Sequence, residues 1–244
     1  MTIAADATLD ALPLPVPRPE RTPGLVGGLV GRIPGVARSL RQVVEFGEHW
    51  DAHNDAVLAS MLDAAPPAGR WWAVLGDSAA QGVGASGPDR GWAGVVAAEL
   101  GLDAWFNLSV SGAKLADVAA VQVPRLAWLV ERLGAPERVL VAAGGNDLVR
   151  AVDTRGVRAD LEQLVGLLPA GSVVAAVPQT PWGLLARSAN AALHGLARER
   201  DVVVADINRH YRFPYSRRTA SDAFHPNDRG YREWARAFTE VLSG

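Results

Sequence analysis

The sequence predicts an α/β fold in which a five-stranded parallel sheet carries helices on both faces. Five short apolar runs alternate with longer helix-like segments between residues 71 and 242. Each run is apolar throughout instead of alternating between apolar and polar residues, which indicates a strand that is covered on both sides. With 244 residues, 49% of them hydrophobic, the chain can form one such domain with an appendage.

Residues 1–70 are predicted to form an N-terminal extension, and residues 71–244 the α/β domain. Residues 1–23 are rich in proline, which is typical of a disordered or loosely docked arm. A helix is predicted over 36–62, where apolar residues recur every three or four positions: Val36, Leu40, Val43, Val44, Val57, Leu58 and Leu62. We favour a helix packed on the domain over an amphipathic helix on a membrane surface, because acidic side chains on its polar side would repel anionic lipids.

Strands and helices are predicted to alternate through the domain. The strands are WWAVLG, AWFNLS, RVLVAAG, SVVAAVP and DVVVADI. The helices that follow them span about 91–100, 115–133, 157–168, 184–200 and 227–242. Ligands of parallel sheets bind beyond the carboxyl ends of the strands, so we expect the functional residues in the loops that follow the strands.

The composition narrows the range of functions. The chain has no cysteine, which excludes disulfides, thiolate metal sites and a cysteine nucleophile. Its net charge of −2 gives no sign of a nucleic-acid-binding surface. Asp6 and Asp10 stand where a signal peptide would be positively charged, and no uncharged apolar run approaches the roughly 18 residues of a membrane span. We therefore expect a cytoplasmic protein, with peripheral membrane contact through the extension as an alternative.

The predicted loops carry the residue types that acyl transfer requires. They contain GDS at 76–78, NLSVSGAK at 107–114, GGND at 144–147 and DAFHPND at 222–228. Ser78 is a candidate nucleophile, and a serine hydroxyl needs an adjacent base. His225 suits that role, because imidazole groups change charge near neutral pH. Asp222, three residues earlier, can orient the imidazole of His225.

The same loops offer hydrogen-bond donors for the oxyanion of a tetrahedral intermediate. The backbone N–H groups of Ser78 and Gly112 and the side-chain amide of Asn146 are the candidates. Glycine allows the backbone to approach closely, and asparagine has an amide donor that aspartate lacks. A site of this kind needs neither a metal nor an organic cofactor.

The four segments resemble the sequence blocks of the SGNH, or GDSL-type, hydrolase superfamily. Residues 76–78 are similar to its first block, Gly112 to its second, residues 144–147 to its third and residues 222–225 to its last. The resemblance spans roughly residues 71–242. The sequences of the first and last segments look like those of lipase- or esterase-type members from actinobacteria.

This resemblance implies a flavodoxin-like three-layer sandwich and hydrolysis of a carboxylic ester or thioester through an acyl-enzyme. It implies that Ser78 is the nucleophile, His225 the base and Asp222 its partner, with an oxyanion hole at Ser78, Gly112 and Asn146. Ala79 departs from the leucine that often follows the serine, at a position that varies in the superfamily.

Each segment taken alone has a simpler interpretation as a turn or a helix start. Gly82, Gly84 and Gly87 even fit the Gly-x-Gly-x-x-Gly spacing of a dinucleotide-binding loop. They do not follow the strand end directly, and no acidic residue ends the second strand, so we attribute them to packing beside the nucleophile. His49 and His53 have metal-ligand spacing on a helix, but without a third ligand we interpret them as part of a solvated face.

The substrate and the acceptor of the acyl group are the least determined parts of the prediction. We expect a small-molecule or lipid-like ester as substrate. Trp182, Leu184 and Leu185 follow the fourth strand and are expected to form the wall of an acyl pocket, with packing at a helix N-terminus as the alternative. Two rival functions stay open: an acyltransferase that uses a sugar or lipid alcohol, and a binding module that has lost catalysis.

Overall fold

Five parallel strands form the central sheet in the order β2-β1-β3-β4-β5. The strands are β1 (Trp72–Gly76), β2 (Trp105–Asn107), β3 (Arg138–Ala142), β4 (Val173–Ala175) and β5 (Val203–Ala205). This is the doubly wound strand order of flavodoxin-like folds, so the predicted sheet is confirmed. The chain crosses from one side of β1 to the other after β2, which opens a crevice where the carboxyl ends of β1 and β3 meet.

The computed structural model describes residues 34–63, 70–149, 151, 153–179, 182–212 and 214–243, so the predicted arm over 1–23 lies outside the described residues. The helices are α1 (Pro34–Asp63), α2 (Trp92–Leu100), α3 (Leu115–Asp117), α4 (Val123–Leu133), α5 (Gly145–Leu148), α6 (Arg155–Leu167), α7 (Leu184–Arg200) and α8 (Asp228–Leu242). The single helix predicted over 115–133 is instead α3 and α4, joined by a π-helical stretch over Val118–Gln122.

The hydrophobic core consists of two clusters on opposite faces of the sheet. Successive residues of a strand point to opposite sides, so Leu75 belongs to one cluster and Val74 to the other. Helices α4, α6 and α7 cover the first face, and α2 and α8 cover the second. Trp92 of α2 stacks on Phe238 of α8 with ring centroids 4.1 Å apart. The prediction of helices on both faces is therefore confirmed.

Helix α1 lies along β2, the edge strand of the sheet. An edge strand presents unpaired backbone groups that need hydrogen-bond partners. The side-chain amide of Asn54 supplies them to Asn107: its Nδ2 donates to Asn107 O at 2.8 Å and its Oδ1 accepts from Asn107 N at 2.8 Å. His53 Nε2 donates to Trp105 O at 2.9 Å, two residues earlier on the strand. Side chains of α1 thus satisfy the outer edge of β2.

The buried face of α1 agrees with the predicted apolar face only in part. Leu40 and Val44, which belong to the apolar pattern, are 54% and 45% exposed. The buried face does include Leu58 of that pattern, together with Phe46, Trp50 and Met61, but it also includes the polar residues Ser39, Gln42 and Asn54. The polar residues are buried because α1 also packs on backbone and carboxylate groups of the domain, where polar side chains find hydrogen-bond partners. No helix in the described part of the chain is long and apolar enough to cross a membrane.

Replacing Asn54 tests how far α1 stabilises the domain. Asn54→Ala leaves the N–H and C=O of Asn107 buried without partners, and each lost hydrogen bond of this kind costs roughly 1–3 kcal/mol. We expect the free energy of unfolding in urea to fall by about 2–4 kcal/mol. Glu45→Ala, at an exposed position of the same helix, is the control and should change it by less than about 0.5 kcal/mol. Equal unfolding midpoints for Asn54→Ala and the wild type would contradict this role.

Candidate active site

Ser78 lies immediately beyond the carboxyl end of β1. The buried side chain of Gln122 holds that end of the strand: its Oε1 accepts from Gly76 N at 2.8 Å and its Nε2 donates to Gly76 O at 2.7 Å. Gln122 stands in the π-helical stretch, and such stretches are frequent at functional sites. The loop then turns back, so that Val83 N donates to Ser78 O at 3.0 Å. These bonds fix the serine beyond a rigid strand.

The three residues of the predicted triad form a continuous hydrogen-bonded chain. Ser78 Oγ lies 2.9 Å from His225 Nε2, and His225 Nδ1 lies 2.6 Å from Asp222 Oδ2. With its proton on Nδ1, the imidazole donates to Asp222 and accepts from the hydroxyl of Ser78. The side chains of His225 and Asp222 are 13% and 5% exposed. This hydrogen-bonded array is therefore largely shielded from water, but a ligand can approach it at the imidazole of His225 and the hydroxyl of Ser78.

Each carboxylate oxygen of Asp222 accepts two hydrogen bonds. Oδ1 accepts from the backbone N–H groups of Phe224 and His225 at 2.9 and 3.0 Å. Oδ2 accepts from His225 Nδ1 and from the hydroxyl of Ser39, which lies 2.5 Å away. Burial alone would raise the pKa of Asp222, but the hydrogen bonds from His225 and Ser39 outweigh it and hold the pKa well below its usual range. The carboxylate therefore stays ionised at neutral pH.

The three predicted oxyanion donors come from loops that meet at this edge of the sheet. Within the described residues, no hydrogen-bond acceptor occupies the backbone N–H of Ser78. Asn146 Nδ2 donates to Ala113 O at 2.9 Å and to Asp77 Oδ2 at 3.4 Å. Gly112 directly precedes Ala113 in the loop after β2. Asn146 therefore ties the loop that carries Gly112 to the loop that carries Ser78.

Two further carboxyl groups fix the loops of the site. Asp77 Oδ1 accepts from Ala79 N at 2.9 Å, and the carboxyl of Asp147 accepts from Leu115 N at 3.2 and 3.3 Å. Burial raises the pKa of Asp77 to about 6 and that of Asp147 to about 6. Burying the charged forms therefore destabilises the fold above pH 6, and this cost is relieved as the pH falls toward the ordinary value of 3.8.

Residues 74–233 match the GDSL-like lipase/acylhydrolase family. The chain belongs to this family. It is accordingly a serine hydrolase that acts on small-molecule esters. A search of curated proteins found no match.

Solved structures with the same fold include several lipolytic proteins and esterases. A member of the lipolytic G-D-S-L family from Veillonella parvula is 22% identical, with a TM-score of 0.61 over 71% of this chain and 98% of that one. An acetylxylan esterase from Geobacillus stearothermophilus is 17% identical, with a TM-score of 0.55 over 72% of this chain and 95% of that one. The psychrotrophic esterase EstA from Pseudoalteromonas is 18% identical, with a TM-score of 0.53 over 72% and 97%.

The cleft of this acylhydrolase opens beside Ser78 at the carboxyl edge of the sheet. Alanines at the ends of β3 and β4, Ala142 and Ala175, line the cleft together with Ser78. Aromatic side chains line the rest of the cleft: Trp182, Tyr211, Phe224 and Trp234. The site therefore combines one polar corner, at the triad, with apolar walls.

The three residues predicted for the acyl-pocket wall lie in different places. Trp182 lines the cleft. Leu184 is 77% exposed, and Leu185 packs against the core cluster under α7. The expectation is corrected for Leu184 and Leu185, because α7 begins at Leu184 and successive helical side chains point roughly 100° apart.

Sequence reasoning missed Phe224, Ser39 and Gln42. Phe224 is 43% exposed, and its ring lies edge-on to the ring of Trp182 at 5.9 Å and near that of His225 at 4.9 Å. Its position between Asp222 and His225 was the available signal. Ser39 and Gln42 lie on α1, outside every motif, and no signal in the sequence marked them.

Of the three glycines with dinucleotide-loop spacing, Gly82 and Gly84 pack against neighbouring residues, whereas a Cβ at Gly87 would meet nothing within 4 Å, so the expected packing is wrong for Gly87. A Cβ at Gly82 would lie 3.0 Å from Pro88 O, and one at Gly84 would lie 2.5 Å from Pro226 O and 2.7 Å from the Cβ of His225. Gly84 also has φ +99°, a conformation that favours glycine. Gly84 therefore brings the nucleophile loop into contact with the loop that carries His225.

The histidine pair on α1 makes separate contacts. His53 donates to Trp105 O, as described, and burial lowers its pKa. His49 Nε2 lies 3.8 Å from Asp89 Oδ1. Across the described ranges, no group of three or more potential ligands could hold a metal ion.

Gly84→Ala tests the contact between the two loops. The added Cβ would force Gly84 out of its conformation and displace His225, so we expect the fold to lose roughly 2 kcal/mol or more. Displacing the base should lower kcat/KM for p-nitrophenyl acetate at least about tenfold. Gly87→Ala is the matched control, since a Cβ there has open space around it. Identical kinetics for the two variants would contradict the proposed contact.

Proposed function

We propose that the protein hydrolyses a carboxylic ester or thioester through an acyl-enzyme on Ser78. The observation that carries the proposal is the chain from Ser78 Oγ to His225 Nε2 and from His225 Nδ1 to Asp222, with distances of 2.9 and 2.6 Å. This hydrogen-bonded array opens at Ser78 into a cleft with apolar walls, where an acyl group can lie beside the hydroxyl. We further propose that residues 71–244 form the catalytic domain and residues 1–70 an extension of it.

The reaction proceeds in two half-reactions in this proposal. Ser78 Oγ attacks the carbonyl carbon while His225 Nε2 takes its proton. The tetrahedral intermediate breaks the bond to the alcohol or thiol, which leaves with the proton from Nε2. Water then attacks the acyl-enzyme, His225 again takes and returns a proton, and the acid is released. Asp222 stays ionised and stabilises the imidazolium that forms twice.

The oxyanion is stabilised in this proposal by Ser78 N, Gly112 N and Asn146 Nδ2. Asn146 makes one strong hydrogen bond, to Ala113 O, and one long one, to Asp77 Oδ2 at 3.4 Å. The long bond is the weaker of the two, so the amide hydrogen that makes it is the one that the oxyanion accepts in place of Asp77 Oδ2. The first bond would keep the amide in place during the reaction.

The acyl group occupies the space between the strand ends and the ring of Trp182 in this proposal. Alanines at the strand ends and aromatic walls suit a short or medium apolar chain. The acetylxylan esterase among the similar structures supports a small acyl group. A lipid-like substrate with peripheral membrane contact through residues 1–70 stays a prediction.

Ser78→Ala tests the nucleophile. Removing one member of a triad costs several orders of magnitude in kcat, so hydrolysis of p-nitrophenyl acetate should fall at least about a thousandfold. A fluorophosphonate probe should label the wild type and not the variant. Ser216→Ala, at an exposed serine, is the control and should keep full activity and labelling.

Undiminished turnover by Ser78→Ala would contradict the assignment of Ser78 as the nucleophile. A wild type that neither turns over ester nor reacts with the probe would favour a binding module. Ester products with added alcohols, in place of the free acid, would favour an acyltransferase.

Trp182→Ala tests the acyl wall. Each methylene buried against the indole is worth roughly 0.8 kcal/mol, or about fourfold in kcat/KM. We expect the ratio of kcat/KM for p-nitrophenyl butyrate to that for the acetate to fall about fourfold or more. Leu184→Ala removes an exposed side chain two residues away and should leave this ratio unchanged. A ratio that changes equally in both variants, or in neither, would contradict the proposal that Trp182 forms the wall of the acyl pocket.

A further inference from the structure

A residue outside the matched family segment contacts the triad. Ser39 stands in the second turn of α1, and its Oγ donates to Asp222 Oδ2 at 2.5 Å across 183 positions of sequence. Ser39 is 8% exposed, so its hydroxyl is largely withdrawn from water. The family match covers residues 74–233 and begins after α1 has ended. Asp222 Oδ2, which contacts His225, therefore also accepts a hydrogen bond from a helix that the family match does not include.

The first turn of α1 is packed tightly against the loop that carries Asp222. A Cβ at Gly35 would lie 2.1 Å from Ser221 O and 2.9 Å from Asp222 N. Contacts this short leave no room for any side chain at position 35. Glycine thus lets the helix approach the backbone beside Asp222, and Ser39, one turn later, lies within hydrogen-bond reach of the carboxylate.

The next polar residue of the same face holds the nucleophile loop. Gln42 Nε2 donates to Ala85 O at 2.8 Å, and Gln42 Oε1 accepts from Gly84 N at 2.9 Å. Gly84 packs on His225, as described above. One face of α1 thus contacts both loops that supply the triad, through Ser39 on one loop and Gln42 on the other.

We propose that α1 is part of the catalytic unit, with Ser39 as the positioning residue that fixes Asp222 for His225. The proposal rests on the proposed triad of Ser78, His225 and Asp222. The hydroxyl of Ser39 limits rotation of the carboxylate, so Oδ2 keeps its place opposite His225 Nδ1 and Nε2 stays directed at Ser78. Ser39 does not line the cleft, so its effect falls on the rate of the chemical steps and not on substrate binding.

The experiment compares Ser39→Ala, Ser39→Thr and Ser60→Ala with the wild type. Ser60 is exposed on the same helix, which makes Ser60→Ala the matched control. The kcat and KM for p-nitrophenyl acetate are measured per fluorophosphonate-labelled site, so that unfolded protein does not count. We expect Ser39→Ala to lower kcat about tenfold, equivalent to about 1.4 kcal/mol in barrier height, with KM changed less than about twofold. Ser39→Thr keeps the hydroxyl and should restore kcat to within about threefold, and Ser60→Ala should match the wild type.

A kcat per labelled site that stays within about twofold of the wild type in Ser39→Ala would overturn the proposal. A threonine variant as slow as the alanine variant would overturn it as well, since the hydroxyl would then not be the active group. The Nδ1 proton resonance of His225 provides a second measurement that does not depend on turnover. It should move in Ser39→Ala and return in Ser39→Thr, and an unmoved resonance would count against the proposal.

This second measurement also separates the two proposals. If the wild type neither hydrolyses esters nor reacts with the probe, the proposed function fails. The resonance then still decides whether Ser39 positions Asp222 against His225.

Discussion

A buried carboxylate can stay ionised only where hydrogen-bond donors replace the water it has lost. Asp222 meets this condition with four donors, two on each oxygen. Three of them come from its own loop, and the fourth comes from Ser39 on α1. The orientation of His225, and through it the alignment of Ser78, depends on this arrangement. The conformation of the 222–225 loop reflects the demand, since Ala223 adopts φ 58°, a left-handed conformation that is uncommon for a residue with a side chain.

Helix α1 serves two purposes with the polar residues of its buried face. Asn54 and His53 satisfy the outer backbone groups of the edge strand β2, which closes the sheet at that side. Nearer its N-terminus, the same helix reaches the loops of the triad. The buried side chains of Ser39, Gln42 and Asn54 have backbone and carboxylate groups as hydrogen-bond partners.

The cleft combines a rigid polar corner with walls from separate parts of the chain. Trp182 precedes α7, whereas Phe224 lies inside the loop that carries Asp222 and His225. Their edge-to-face contact joins the acyl wall to the triad loop. Phe224 thus contacts both Trp182 and His225.

The sequence determined the strands, their parallel arrangement and the loops that meet at the candidate site. Continuous apolar runs are enough to identify strands covered on both faces, and strand ends locate the loops where Ser78, Asn146 and the pair Asp222 and His225 stand. Short motifs carry this information because each is local. Apolar periodicity also predicted a helix before the domain, with bounds within two residues of α1.

Only the tertiary structure decided which face of α1 is buried and what it contacts. Leu40 and Val44 form the apolar pattern but face solvent, whereas Ser39 and Gln42 are buried. The pattern misleads here because a polar side chain can be buried wherever a distant partner satisfies its hydrogen bonds, and periodicity carries no record of that partner. Asp222 lies 183 positions from Ser39 in sequence and 2.5 Å from it in space, a relation that only folding establishes.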